Sequence, residues 1–472
     1  MRPKLIGGLL LFLGTGLTGA LLLAQEEAGI TVDPRQSHQT IKGWEVTARS
    51  WETNKREDRF DSSWEQRKDE ILGRLVNELG INRVRIEIKS GIENPIDHWA
   101  RFRNHEIGYR EYRRHYYEKI NDNDDPNAAS KSGFQFSMLD YQVENVVVPL
   151  TKLLESRGEK LYVNLTYVDF VPPAHGGNLS HALKPEEYAE LILATFDHLR
   201  RRHGLTPDAL GVTLEPENTE HWRGRQIGAA MVAAARRLKQ AGFTPEFIAP
   251  STTAASAAPV YFDEIVKVPG AADLLSEFSY HRYRDSSVRD VLPEIARRAK
   301  KYGLRTGMLE HVGGDMAELH ADLTVANASA WQQYGIADEL RMSDRDKGAY
   351  YYNVEYTRGG PTLKMAERTR GLAQYFRFIR AGATRIGAVS TSANHLPVAF
   401  RNSNGTHVVV VQADRAGVIQ VAGLPAGDYE TQYTTATETA VNGPVVNVAA
   451  GGALTARLPS KGVITVRQRN AR

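Results

Sequence analysis

Strand-like and helix-like runs alternate eight times between residues 43 and 333, and that alternation leaves few folds open. The strand candidates are residues 43–48, 83–88, 161–166, 210–215, 247–250, 277–281, 306–310 and 328–333. Between them lie segments with apolar residues at helical spacing, such as Ile71, Leu72, Leu75, Val76 and Leu79, which stop at Gly80. Parallel strands need a crossover of a dozen or more residues, usually a helix, so repeated strand–helix units predict a parallel sheet. Eight units of about 30 residues make a barrel of roughly 250, which predicts the α/β class and a (β/α)8 TIM barrel.

The pattern changes from about residue 386, where short strands are separated by tight turns. Asn404-Gly405 lies between two apolar runs, a hairpin signal, and Gly423-Leu424-Pro425 and Asn442-Gly443-Pro444 mark further turns. This predicts an appended C-terminal β-sandwich. The expected division is a barrel over residues 43–384 and a β-sandwich side domain over 385–472; residues 28–42, which hold a short β-prone piece, fall outside the barrel. The N-terminus carries Arg2 and Lys4, then an apolar stretch to Leu23 and the small Ala24 before Gln25-Glu26-Glu27. That reads as a signal peptide over residues 1–24, giving a secreted or periplasmic protein with no membrane association once the signal is removed; an uncleaved anchor is the alternative.

Composition is that of an ordinary globular chain, 42% hydrophobic and 24% charged in 472 residues. A net charge of +3 gives no reason to expect nucleic acid as a partner, and without cysteine neither a disulfide nor a thiolate metal site can form. His175, His181 and His311 lack metal-ligand spacing, so neither a metal nor another cofactor is expected. Asn-x-Ser/Thr occurs at Asn164, Asn178, Asn327 and Asn404, a short motif of low specificity. Oligomeric state is not readable.

Two glutamates stand where strands should end: Glu215 on strand 4 and Glu310 on strand 7, 95 residues apart. Catalytic groups of such barrels sit at the C-terminal ends of strands, and a facing carboxylate pair is the equipment of a glycosidase, one member donating a proton and the other attacking the sugar. A Gly313-Gly314-Asp315 loop follows Glu310.

The order of these motifs resembles clan A glycoside hydrolases, family 30 most closely. The resemblance rests on Gln39-Thr40-Ile41-Lys42-Gly43-Trp44, the two glutamate strands, Tyr280-His281-Arg282-Tyr283 and the run from Phe376 to Ala383 before the β-module. It implies that Glu310 is the nucleophile and Glu215 the acid/base of a retaining, double-displacement hydrolase acting on β-linked oligo- or polysaccharide. It also implies that Arg85 bonds the nucleophile, that His281 and Tyr283 approach nucleophile or sugar, that Trp331 on strand 8 stacks on a sugar ring, and that the N-terminal strand folds back onto the β-module.

The sequence departs from the clan at one point. Leu214 stands where an asparagine should precede the acid/base, and Glu217, two residues beyond Glu215, is the alternative proton shuttle. The missing amide keeps open a catalytically silent carbohydrate-binding barrel. A metal-dependent barrel hydrolase is disfavoured by the want of clustered histidine and aspartate at strand ends. An insertion after strand 2 carries Trp99, Phe102, Tyr109, Tyr112, Tyr116 and Tyr117 with Arg101, Arg103, Arg110, Arg113 and Arg114. It reads either as a surface helix resting on the barrel or as a rim that meets sugar, its arginines suited to uronate carboxylates. Sugar, linkage and endo or exo action are not legible.

Overall fold

The computed structural model describes residues 26–469 apart from 50–52, 55–56, 62, 172–176, 285–287, 340–348 and 359, so the expected signal peptide lies outside the described residues. Eight parallel strands close into a barrel. Barrel strands 1 to 8 are Gly43–Thr47, Arg83–Lys89, Tyr162–Val168, Ala209–Gly211, Glu246–Thr252, Leu275–His281, Arg305–Glu310 and Ala328–Glu339. They pair in sequence order, with strand 7 beside strand 8 and strand 8 beside strand 1 to complete the ring. Among the described residues no helix is long and apolar enough to cross a membrane.

Alternation along each strand sends one set of side chains outward to the helices and the other inward. Strand 2 shows it plainly: Val84, Ile86 and Ile88 join the large core between sheet and helices, while Arg83, Arg85 and Glu87 face the lumen. Tyr162, Ala209, Ile248, Leu309 and Ala330, from strands 3, 4, 5, 7 and 8, form a separate small cluster inside the barrel. Near its floor Arg83 makes a two-pronged contact with Glu277 at 2.9 and 3.0 Å and a third bond to Glu45, all three fully buried. Burial alone would lower the Arg83 pKa, but Glu277 and Glu45 hold it well above its ordinary value. Strands 1, 2 and 6 are thereby cross-linked through the lumen.

Two departures from the expected elements bear on the site. Strand 4 keeps its ladder only to Gly211, because beyond it the chain hydrogen-bonds by turns to both neighbours: Val212 N–H to Ile248, Leu214 N–H to Tyr167, Glu215 N–H to Ser251. A hairpin that sequence reading missed, Tyr350–Thr357 and Gly360–Met365, extends the sheet from strand 8.

The C-terminal strands form one ten-stranded sheet curled around its own core of Val409, Val411, Val421, Leu458, Ile464 and others. Glu26–Thr40 lies between Thr384–Ser390, antiparallel, and Gly417–Ala422, parallel. The strand His407–Ala413 is buried on both faces, its odd valines in the module's core and Val408 and Val410 in the barrel's. The helix Glu367–Phe376 lies between the two bodies: Phe376 stacks on Trp44 with centroids 4.5 Å apart, and Gln374 bonds Thr434 and Thr465 of the module.

Arg83→Met should test the lumen cross-link. Removing one partner of a buried ion pair strands the other charges, so urea denaturation should show a loss of about 3–5 kcal/mol, and a loss below about 1 kcal/mol would show the guanidinium to be dispensable.

Candidate active site

The C-terminal ends of the strands open on a cleft of about 860 Å³, lined among others by Arg85, Glu87, Leu214, Glu215, Glu310 and Tyr334. Glu310 is the last residue of strand 7, and one of its oxygens accepts from Arg85 while the other accepts from the Tyr283 hydroxyl at 2.9 Å. Arg85 reaches it from strand 2 and bonds Glu87 as well, at 3.0 Å. Because Arg85 is buried between two carboxylates, its charge is held firmly: burial opposes it, but Glu310 and Glu87 raise its pKa well above the ordinary arginine value. Burial also raises the Tyr283 hydroxyl, and the Glu310 carboxylate adds to that, so this side chain stays a proton donor.

Glu215 sits four residues past the end of the strand 4 ladder, in the left-handed region with φ 45° and ψ 62°. Non-glycine residues pay strain there, of order 1–3 kcal/mol, and such strain gathers at functional sites. The conformation turns the side chain toward the barrel axis, where His281 Nδ1 lies 3.0 Å from one oxygen and the Asn218 amide donates to the other at 2.7 Å. Burial raises the Glu215 pKa, but the contacts with His281 and Asn218 outweigh it and leave the carboxyl below its usual range. One oxygen of Glu215, one of Glu310 and a His281 nitrogen all lie within 4.8 Å of one another. Glutamate–histidine–glutamate at that spacing is a donor set a metal ion could use, yet three of the four carboxylate oxygens already accept a hydrogen bond from protein and the fourth lies against His281 Nδ1.

The remaining candidates divide. Arg85, His281 and Tyr283 meet the two glutamates. Glu217 turns away, its oxygens accepting from the backbone N–H groups of Thr253 at 2.9 Å and Ala254 at 3.2 Å, where it clamps the loop after strand 5. Trp331 corrects the expectation of a stacking platform: it has no exposed surface, bonds Asp322 through Nε1 at 2.9 Å and packs against Phe376. Parity is the reason. Ala330 faces the lumen, so its neighbour must face the helices. Tyr334, with the parity of Ala330, is the strand 8 aromatic that lines the cleft, bonded to Arg49 at 2.8 Å. Sequence reading missed it, and missed Asn218; counting by twos from Ala330 would have found Tyr334.

The insertion does both things asked of it. Trp99, Phe102 and Tyr112 are buried, Trp99 packing edge-on to Phe60 at 5.9 Å and to Tyr112 at 5.4 Å. Tyr109, Tyr116 and Tyr117 line the cleft with Arg110, Arg113 and Arg114. Its wall on this side is strongly basic.

No family model matches the chain. Solved structures do. The catalytic domain of a family 30 xylanase C from Talaromyces cellulolyticus superposes with a TM-score of 0.66 at 17% identity, covering 94% of this chain and all of that one. A family 30 endoxylanase from Clostridium papyrosolvens C71 gives 0.63 at 17% identity over 93% of this chain and all of its own. An endo-β1,6-glucanase gives 0.62 at 14% identity over 93% and 94%. Barrel, curled β-module and returning N-terminal strand thus make this chain one with the fold of the clan A glycoside hydrolases, most similar to family 30.

Proposed function

We propose that the protein is a retaining glycoside hydrolase that cleaves β-linked glycans by double displacement, with Glu310 as nucleophile and Glu215 as acid/base. The observation that carries this reading is the closeness of the two carboxylates, an oxygen of each within 4.8 Å across the cleft floor. Retaining enzymes hold their carboxyls about 5–5.5 Å apart, whereas inverting ones leave roughly 6.5–9.5 Å for a water. Glycoside hydrolase neighbours of the same fold support glycan as the substrate class.

In the first step a Glu310 oxygen attacks the anomeric carbon while Glu215 gives its proton to the departing oxygen. Arg85 and Tyr283 hold Glu310 aimed at that carbon, since both donate to it. His281 Nδ1, 3.0 Å from Glu215, is the side chain placed to pass a proton to it or take one from it. In the second step Glu215 takes a proton from water, which attacks the glycosyl-enzyme and releases the sugar with its configuration restored. Leu214 supplies no amide to a sugar hydroxyl, and the Asn218 amide is spent on Glu215 itself. That is the one feature favouring a silent sugar-binding barrel, and activity separates the two readings.

A panel of aryl β-glycosides and β-glycans, followed by NMR of the first anomer released, should show chelator-insensitive hydrolysis with retention. No turnover on any member would favour the binding protein, and the inverted anomer would remove the double displacement.

Glu310→Gln should fold and bind as the parent but turn over at less than about 1% of its rate, because an amide cannot form the glycosyl-enzyme and losing a nucleophile costs several orders of magnitude. Kinetics beside a thermal melt checks both halves.

Glu215→Ala should be crippled on poor leaving groups yet retain the first step on an activated aryl glycoside, with azide restoring the second. Glu217→Ala should keep its chemistry and lose loop stability, its carboxylate being the acceptor for two backbone donors. Azide rescue of Glu217→Ala instead would move the proton shuttle to that residue.

A further inference from the structure

The insertion after strand 2 holds a cluster that the glycosidase reading does not use. Asp97 caps the helix His98–Arg103, and His98, its first residue, is 7% exposed with neither ring nitrogen in a hydrogen bond. A buried imidazole without partners is costly. What it faces is a second imidazole and an acid. The His115 ring stacks on it with centroids 3.7 Å apart, and Glu118 Oε2 lies 3.8 Å from His98 Nε2 and 2.5 Å from His115 Nδ1. One ligand atom from each of His98, His115 and Glu118 falls within 4.8 Å of the others.

The geometry points to a zinc-binding site in which His98, His115 Nδ1 and Glu118 Oε2 hold the ion and water completes its shell. Two imidazoles and a carboxylate are donors zinc takes, at about 2.0–2.2 Å, in sites that keep one position open. The surroundings have the form that supports such ligands. His115 Nε2, the nitrogen away from the cluster, lies 3.2 Å from Glu111 Oε1, the carboxylate–histidine arrangement that orients a metal-bound ring and raises its basicity. Asn94 Nδ2 donates to the Glu118 carbonyl at 3.1 Å and approaches its Oε2 at 3.5 Å. Burial, and after it the neighbouring His115, pushes His98 down to about 4, so that ring is a neutral base at ordinary pH.

The stacked rings, with planes 4° apart, do not yet share an in-plane point, and one must turn to share an ion. A turn of His98 would break no hydrogen bond at its nitrogens. Binding would tie the helix His98–Arg103 to the helix Tyr109–Arg114 and the turn after it, the segment whose outer side forms the basic wall of the cleft.

Calorimetric titration of the metal-free full chain with zinc sulfate tests this without reference to turnover. Two other groups of ligand type must be kept apart from it: Asp140, His198 and His203 on the outer helices, and Glu215, His281 and Glu310 in the cleft. The expected result is saturable 1:1 binding that raises the melting temperature, persists in His198→Ala and Glu310→Gln, and is abolished in His98→Phe, which keeps an aromatic ring in the stack. Glu111→Gln should weaken binding by about 10–100-fold, as loss of an outer-shell partner does. Absence of zinc binding in the parent, or binding unchanged in His98→Phe at an unaltered melting temperature in the absence of metal, overturns the assignment.

Discussion

Strand 2 sends two arginines into the barrel lumen, where two carboxylates meet each of them, and the molecule is arranged around those contacts. Arg83 near the floor meets Glu45 and Glu277; Arg85, one lumen-facing position higher, meets Glu87 and Glu310. Each guanidinium would be intolerable alone in so dry a place, and so would the acids. Together they form a vertical stack of alternating charge joining strands 1, 2, 6 and 7. The lower half holds the ring together, and the upper half holds Glu310 in position. Structural and chemical roles are two levels of one device.

The carboxylate facing Glu310 is positioned by different means. Glu215 depends on backbone: an early end to the strand 4 ladder, a left-handed residue, and an N–H donated to Ser251. Its hydrogen bonds then come from His281, on the neighbouring rim, and from Asn218, three residues on. One acid is thus gripped by a guanidinium and the other by an imidazole and an amide, an asymmetry suited to giving the two different duties.

Much of this was legible in the chain, and the illegible part has a common cause. Strand–helix alternation located all eight barrel strands, Glu215 and Glu310 stood out as carboxylates where strands should end, and Arg85, His281 and Tyr283 came from the family resemblance. Facing on strand 8 could not be read. Strand 2 alternates charged and apolar residues, but the run from Ala328 to Tyr334 carries no clean period-two signal to tell inside from outside. Trp331 and Tyr334 are both aromatic on strand 8, and only the partners of Ala330 show which one points into the cleft. The left-handed turn at Glu215 has no glycine to announce it. In the insertion, buried Trp99 and cleft-lining Tyr116 share one aromatic pattern, while the meeting of His98 with His115 is a matter of packing between two short helices.

The placement of Glu26–Thr40 between Thr384–Ser390 and Gly417–Ala422 has a temporal side. Glu26–Thr40 is made before any strand of the barrel, and both strands that flank it are made after the last of them. Until those emerge the opening strand has no ladder to join, and the valine-rich strand His407–Ala413, needed by module and barrel alike, is missing too. Contacts so distant in sequence are slow to form, because the loop must be closed before any pairing rewards it. The module therefore cannot close before Gly417–Ala422 has been made, although one of its inner strands precedes every strand of the barrel.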